Sequence, residues 1–221
     1  MQIIFEDYYL LVINKPAGLS TESGASRHPS AETEALFYFT KSLNESSSSS
    51  RLKVTPYLRS VHRLDRASSG VLVFAKTKAA LTNLMGQFER REVEKVYRAV
   101  LEKAPRPEAG TQKHFLKRSE DGRKAIICDT QERDSQPCEL RYKTLAMRGK
   151  QAEVEIHPLT GRFHQIRAQF AHIGCPVVGD VAYGGKALKE FEVKLHAARL
   201  TVLHPRSGVV LVLEAEVGEG W

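Results

Sequence analysis

The chain has 221 residues, of which 42% are hydrophobic, so it fits one large domain or two small ones with a sizeable core. No apolar run reaches the length of a membrane span, and the N-terminus, Met1-Gln2-Ile3-Ile4-Phe5-Glu6-Asp7, is acidic where a secretory leader is basic. Lysine and arginine total 33 against 26 acidic residues, a net charge of +7 that favours a polyanionic partner.

Two short strands are expected at 3–5 and 10–13, separated by the polar turn Glu6-Asp7. Residues 32–43 read as a helix offering Leu36, Tyr38, Phe39 and Leu43 to a core. The serine run 46–50 has nothing to bury, so about 44–53 reads as a flexible loop. Residues 71–75 are apolar without alternation, the pattern of a strand buried on both faces. Residues 78–91 carry Leu81, Leu84, Met85 and Phe88 at the spacing of an amphipathic helix. A strand rich in valine and tyrosine is expected at 94–102, and a loop with two prolines and a glycine at 104–110.

Further strands are expected at 113–117, 124–128, 139–146 and 151–157, with Arg148-Gly149-Lys150 as a hairpin connection. Thr160 is placed to cap a helix from Gly161 or Arg162 to about Ile173, with Phe163, Ile166, Phe170 and Ile173 on one face. Gly174 and Pro176 are its natural stop. A last strand pair, 195–203 and 209–216, turns around Pro205-Arg206-Ser207-Gly208. There is no internal repeat and no linker dividing two cores. Many strands with a few inserted helices argue for a single α+β domain, 1–221, on a mixed, mostly antiparallel sheet.

Cys128, Cys138 and Cys175 are odd in number and widely spaced, which suits a reducing, cytoplasmic setting and suggests no disulfide framework. There is no Cys-x-x-Cys and no pair of histidines at i, i+4 spacing, so no metal site is expected. Basic clusters occur at Arg90-Arg91 with Lys95, and at Lys113, Lys117, Arg118, Arg123 and Lys124. Each reads either as a solvated face or as a stripe for nucleic-acid phosphates.

The run Val61-His62-Arg63-Leu64-Asp65-Arg66-Ala67-Ser68-Ser69-Gly70 sets one carboxylate between two guanidiniums, in a polar turn opening into an apolar stretch. A carboxylate beside fixed positive charge stays ionised, and one that is shut away from water is a usable nucleophile. By itself the same pattern also fits a loop aspartate in a surface ion pair.

The decapeptide resembles the signature of the RluA-type family of RNA pseudouridine synthases. Its His-Arg-Leu-Asp, hydroxyl-bearing pair and glycine, followed by an apolar strand ending in Ala75-Lys76, stand in the family's order. Leu11-Val12-Ile13-Asn14-Lys15-Pro16-Ala17-Gly18 resembles the family's first motif, and Lys95-Val96-Tyr97-Arg98-Ala99-Val100 its tyrosine-bearing strand. Pro158-Leu159-Thr160-Gly161-Arg162-Phe163-His164-Gln165-Ile166-Arg167 resembles its third motif. Gly179-Asp180, Tyr183-Gly184-Gly185 and Leu195-His196-Ala197 follow in sequence. Ala67 and Ser68 stand where glutamate and threonine are common, and Cys138 and Leu140 replace a small residue and a threonine. None of these departures touches a position tied to catalysis.

The resemblance implies a curved central sheet flanked by helices and loops, and isomerisation of specific uridines in ribosomal or transfer RNA without a cofactor. It implies Asp65 as nucleophile, Tyr97 beside the uracil ring and Arg162 as the cation set against the carboxylate, a residue that by itself also reads as a phosphate binder near a helix N-terminus. It implies that Arg63 fills the gap left by a flipped nucleotide, with His62 beside it. Leu159 and Ile166 are expected to pack under the base or helix. Arg167 and His196 either contact RNA or brace the site. The expected partner is a structured RNA, an rRNA or tRNA stem-loop, met by a monomer with no membrane or obligate protein partner. The family's frequent N-terminal RNA-binding module is not expected, because the first motif begins within the first dozen residues.

Other readings fit less well. A kinase would need a glycine-rich phosphate loop ahead of His62-Arg63, and a serine hydrolase a Gly-x-Ser-x-Gly elbow. The competitor that stands is a non-catalytic RNA-binding or RNA-folding protein on the same scaffold.

Overall fold

In the computed structural model, described for residues 1–23, 29–46, 56–188, 192–218 and 221, the chain resolves into two units. The first comprises Met1–Glu94 and Arg199–Val217, the second Lys95–Ala198 and Gly218–Trp221.

The first unit is built on β1 (Gln2–Glu6), β2 (Leu10–Lys15), β3 (Arg59–Ser60), β4 (Ser69–Ala75), the later part of β10 (Leu195–Leu203) and β11 (Val210–Glu214). Its strand order is β1-β2-β4-β10, with β3 on β4 and β11 on β10. Antiparallel pairing sets Leu10 opposite Ala75 and Lys15 opposite Gly70. The absence of alternation in β2 and β4 has its reason in burial: Leu10 to Ile13 and Val71 to Ala75 are covered on both faces.

Helix α1 (Ala31–Ser46) runs three residues into the expected loop, and residues 47–50 of the serine run lie outside the described residues. Among its described side chains the buried ones are the small Ala31 and Ala35. Leu36, Tyr38 and Phe39 are half-buried, and Leu43 is exposed rather than in the core. Helix α2 (Lys78–Glu89) starts at Thr77, whose hydroxyl accepts the Ala80 N–H at 3.1 Å. Leu84 faces the core while Met85 is exposed. The buried Gln87 side chain donates to Leu203 O at 2.8 Å and accepts Leu203 N–H at 2.9 Å, tying α2 to β10.

The second unit holds β5 (Glu94–Leu101), β6 (Ala109–Arg118), β7 (Ala125–Cys128), β8 (Gln136–Arg148), β9 (Gln151–Pro158), the start of β10 and helix α3 (Gln165–His172). Its antiparallel order is β5-β9-β8-β6-β7. The β8–β9 hairpin turns where expected, with Gly149 at φ 64°, a backbone region that glycine enters without a Cβ penalty. Both units are α+β with mostly antiparallel strands, as the element order leads one to expect.

The start of α3 is a correction. It begins at Gln165, not Gly161 or Arg162, because His164 sits in the left-handed region at φ 52° and no side chain caps the helix. The Thr160 hydroxyl instead accepts the Glu139 N–H at 2.9 Å. The other end follows the sequence signal. Gly174 N–H donates to Ala171 O and Cys175 N–H to Phe170 O, the paired bonds of a glycine-terminated helix. Ile166 and Phe170 are buried, but Ile173 is exposed.

Candidate active-site residues

In the first unit Asp65 is half-buried in the loop between β3 and β4. Its neighbours' backbone is clamped from both sides. The Thr21 hydroxyl donates to Leu64 O at 2.8 Å and accepts Leu64 N–H at 3.0 Å. Gly18 N–H donates to Arg66 O at 2.8 Å, and Arg66 Nε donates back to Gly18 O at 2.9 Å. Ser68 N–H closes the turn on Asp65 O at 3.1 Å.

Beneath this loop lies Lys15, fully buried at the end of β2. Its Nζ donates to Ser68 O at 2.6 Å, Leu19 O at 2.8 Å and Pro16 O at 2.9 Å, and lies 3.5 Å from Arg66 O. An ammonium has three protons to donate, and here they converge on carbonyls from the two loops that frame Asp65. Burial pulls the Lys15 pKa down to about 8, partly offset by the attraction of the Asp65 carboxylate. The sequence carries this lysine in its first motif, but only the fold shows it as a buried charge next to the acid.

Arg63 is exposed, its Nη1 3.7 Å from Glu22 Oε2. His62 is half-buried, accepts the Val73 N–H on Nε2 at 3.3 Å and stacks on Phe88 with centroids 5.2 Å apart. Its ring is thereby engaged with β4 and α2.

In the second unit Tyr97 lies half-buried on β5 opposite Ile156 of β9. The third-motif turn is organised by Gln165, which is 4% exposed. Its Oε1 accepts the Arg162 N–H at 3.0 Å and the Thr160 hydroxyl at 2.8 Å, and its Nε2 donates to Glu139 O at 3.2 Å. Leu159 N–H and Thr160 N–H also reach Glu139 O. The turn is therefore fixed by its backbone, while the Arg162 side chain stays half-exposed with Nε donating to Pro137 O at 3.3 Å. Lys95 adds a second cation, its Nζ 3.7 Å from where a Cβ on Gly161 would stand.

Arg162 borders an open groove of about 870 Å³ that also receives Lys117, Arg118 and Arg133. Glu120 and Asp134 are its acidic members, so cations prevail. The Arg118 guanidinium lies 4.1 Å from the Phe163 ring, which stacks on His164 at 3.8 Å. His164 Nδ1 shares a 3.0 Å hydrogen bond with the Tyr183 hydroxyl, whose oxygen accepts the Ala125 N–H at 2.7 Å. These contacts hold the left-handed His164 and so set where α3 begins. Gln165 and Tyr183 stood in the motifs and Arg118 in a basic cluster, but their packing part was not read from sequence, because it lies in contacts between separate elements.

Of the remaining sequence candidates, Leu159 is 38% exposed and Ile166 is buried. Arg167 is buried in a two-pronged ion pair with Asp180, at 2.6 and 2.8 Å, below the Tyr183 ring. His196 is 1% exposed and meets the Trp221 ring edge-on. No described helix is long and apolar enough to cross a membrane.

A family model described as RNA pseudouridylate synthase matches residues 9–172. Similar sequences include the Bacillus subtilis "Uncharacterized RNA pseudouridine synthase YhcT", 32% identical over 97% of this chain and 68% of that protein. The "tRNA pseudouridine synthase C" of Vibrio parahaemolyticus is 31% identical over 100% of this chain and 92% of its own length. The "Ribosomal large subunit pseudouridine synthase D" of Pseudomonas aeruginosa is 30% identical over 99% and 69%. Among solved structures, "Human RNA Pseudouridylate Synthase Domain Containing 4" superposes with a TM-score of 0.78 at 26% identity, covering 99% of this chain and 89% of that one.

Proposed function

This chain belongs to the RNA pseudouridylate synthase family, and on that footing we propose how its own residues convert uridine to pseudouridine. It is an isomerase acting on RNA. The reaction breaks the bond between ribose C1′ and uracil N1, turns the base and forms a C1′–C5 bond. The C5 proton leaves and N1 gains one. Nothing is oxidised or reduced overall, so the chemistry calls for no redox cofactor or energy source. The uridine must leave its stack to be reached.

Asp65 is the nucleophile of this reading, and attack at C1′ or at C6 would use the same carboxylate. Tyr97 lies against the uracil ring and presents its hydroxyl toward C5. Arg162 supplies a fixed positive charge for the reaction. Arg63, exposed on the Asp65 loop, takes the place of the extruded nucleotide. The groove with Lys117, Arg118 and Arg133 receives RNA phosphates, whose contribution to affinity weakens with salt. The observation that carries the proposal is the backbone-clamped, half-buried Asp65 loop lying within the matched span.

The RNA is ribosomal or transfer RNA, since the similar proteins carry names of both classes. Residues 1–221 are read as one catalytic domain because the family match runs through parts of both units. A monomer acting in the cytoplasm, without an obligate protein partner, completes the reading. Site-resolved mapping of pseudouridine in total RNA, incubated with and without the chain, tests it. New pseudouridines at defined positions are expected. RNA binding with no pseudouridine on any RNA favours the non-catalytic scaffold instead.

A further inference from the structure

Away from these residues, the second unit brings together three side chains that the sequence keeps far apart. His114 lies on β6, Asp129 directly follows β7, and His172 is the last residue of α3. Each offers one ligand atom, and the three atoms lie within 4.8 Å of one another. His172 Nε2 is 3.0 Å from Asp129 Oδ1, and the two imidazoles meet edge-on at 5.1 Å. We propose that His114, Asp129 and His172 form a binding site for a divalent transition-metal ion of the zinc class, which would pin the β6–β7 hairpin to the end of α3.

The donor set decides the class of ion. Two imidazole nitrogens and one carboxylate oxygen suit zinc and its neighbours, whereas calcium and magnesium call for oxygen ligands. Three protein ligands leave a fourth tetrahedral position for water. Bonds of zinc length place ligand atoms roughly 3.3 Å apart, so the trio needs only side-chain adjustment. Two of the three have room for it: the Asp129 side chain is 76% exposed and that of His172 34%.

A second observation points the same way. Metal-bound imidazoles generally engage their other nitrogen with a buried polar partner. His114 has that partner. The Gln169 side chain, 0% exposed, places its Nε2 3.1 Å from His114 Nδ1, while its buried Oε1 has no hydrogen-bond partner among the described residues. In this arrangement Nδ1 is the acceptor, so the ring proton sits on Nε2, where a metal would displace it. A histidine bound through Nε2 keeps its proton on Nδ1 and needs an acceptor there. Turning the Gln169 amide over supplies that acceptor from the orphaned oxygen, at the expense of a 3.4 Å contact from Nε2 to Gln112 O. The His114 nitrogen away from the metal thereby gains the buried acceptor it needs, while the turned amide nitrogen takes the place where the oxygen has no partner among the described residues.

The reading of local spacing that excluded a metal could not have found this trio, because its members come from three separate elements. The test uses the full chain stripped of metal with a chelator and titrated with zinc chloride in a calorimeter. Tetrahedral Co²⁺ absorption gives a spectroscopic readout of the same site. One saturable zinc per chain and a raised melting temperature are expected. Asp129→Asn and His172→Ala should each weaken zinc binding at least about tenfold. Both alter exposed or half-exposed side chains, and an unchanged zinc-free melting temperature verifies that each variant folds. No saturable zinc uptake by the unaltered chain, or full affinity retained in either variant, overturns the proposal.

Discussion

The loop that carries Asp65 and the turn that carries Arg162 are held in opposite ways. Under the Asp65 loop a buried ammonium, Lys15, gathers backbone carbonyls. Behind the Arg162 turn a buried neutral carboxamide, Gln165, gathers an N–H, a hydroxyl and a carbonyl. The groups proposed to work there, Asp65 and Arg162, differ in the complementary sense. Where the working group is an anion, a cationic anchor adds favourable field as well as hydrogen bonds. Where the working group is itself a cation, a second buried charge would repel it, and a neutral anchor fixes the backbone without that cost. One region should therefore respond to pH and the other should not.

Lys15→Met is the severest way to break this contrast on the stability side. It leaves buried carbonyls without a donor and should cost about 3–5 kcal/mol in denaturant unfolding. Its signature is in the pH dependence. Folded Lys15 loses its proton near pH 8, whereas the unfolded chain keeps it to about 10.5. Between those values the unfolded state binds more protons, so this group makes stability rise with pH. The gap between the unaltered chain and the variant should widen across that window by on the order of 3 kcal/mol. A gap flat in pH would contradict the buried-charge account.

Gln165→Ala should cost less, about 2 kcal/mol, by leaving the Arg162 N–H and the Thr160 hydroxyl short of a partner. That loss should be the same at neutral pH and at about pH 9.5, which sharpens the contrast with Lys15. Arg118→Ala is the mildest change. Losing its contact with Phe163 should cost under about 1 kcal/mol. RNA binding should weaken several-fold, with the salt dependence reduced by about 0.9 in slope, one phosphate contact's worth. An unchanged salt slope would remove the groove from the RNA-binding surface.

These features were unequally legible in the sequence. The strands expected at 3–5, 10–13 and 71–75 were visible, each lying within an observed strand, because apolar β-branched residues leave little choice of secondary structure. The end of α3 was visible in Gly174, but its start was not. Thr160 has the chemistry of a helix cap, and only the tertiary contacts show that Glu139 takes its hydroxyl and that His164 turns left-handed. On α1 the expected face held for Leu36, Tyr38 and Phe39, which are half-buried, but not for exposed Leu43, and the deepest burial falls on the small Ala31 and Ala35. Asp65, Tyr97 and Arg162 were nameable from motifs. Their supports were not: Lys15 reads as an ordinary lysine until four carbonyls surround it, and the ion pair of Arg167 with Asp180 joins residues thirteen apart that no local spacing links.

The account turns on Asp65 as the group that reacts with uridine. The most direct measurement is pseudouridine formation by Asp65→Asn on an RNA that the unaltered chain modifies, with RNA affinity recorded on the same samples. The two side chains are nearly the same size, so the loop and the RNA contacts should survive, with affinity within a few-fold. Product formation should fall by at least about 10³-fold, as expected on removal of a nucleophile. A variant that still makes pseudouridine at a comparable rate would show that the carboxylate is not the reacting group.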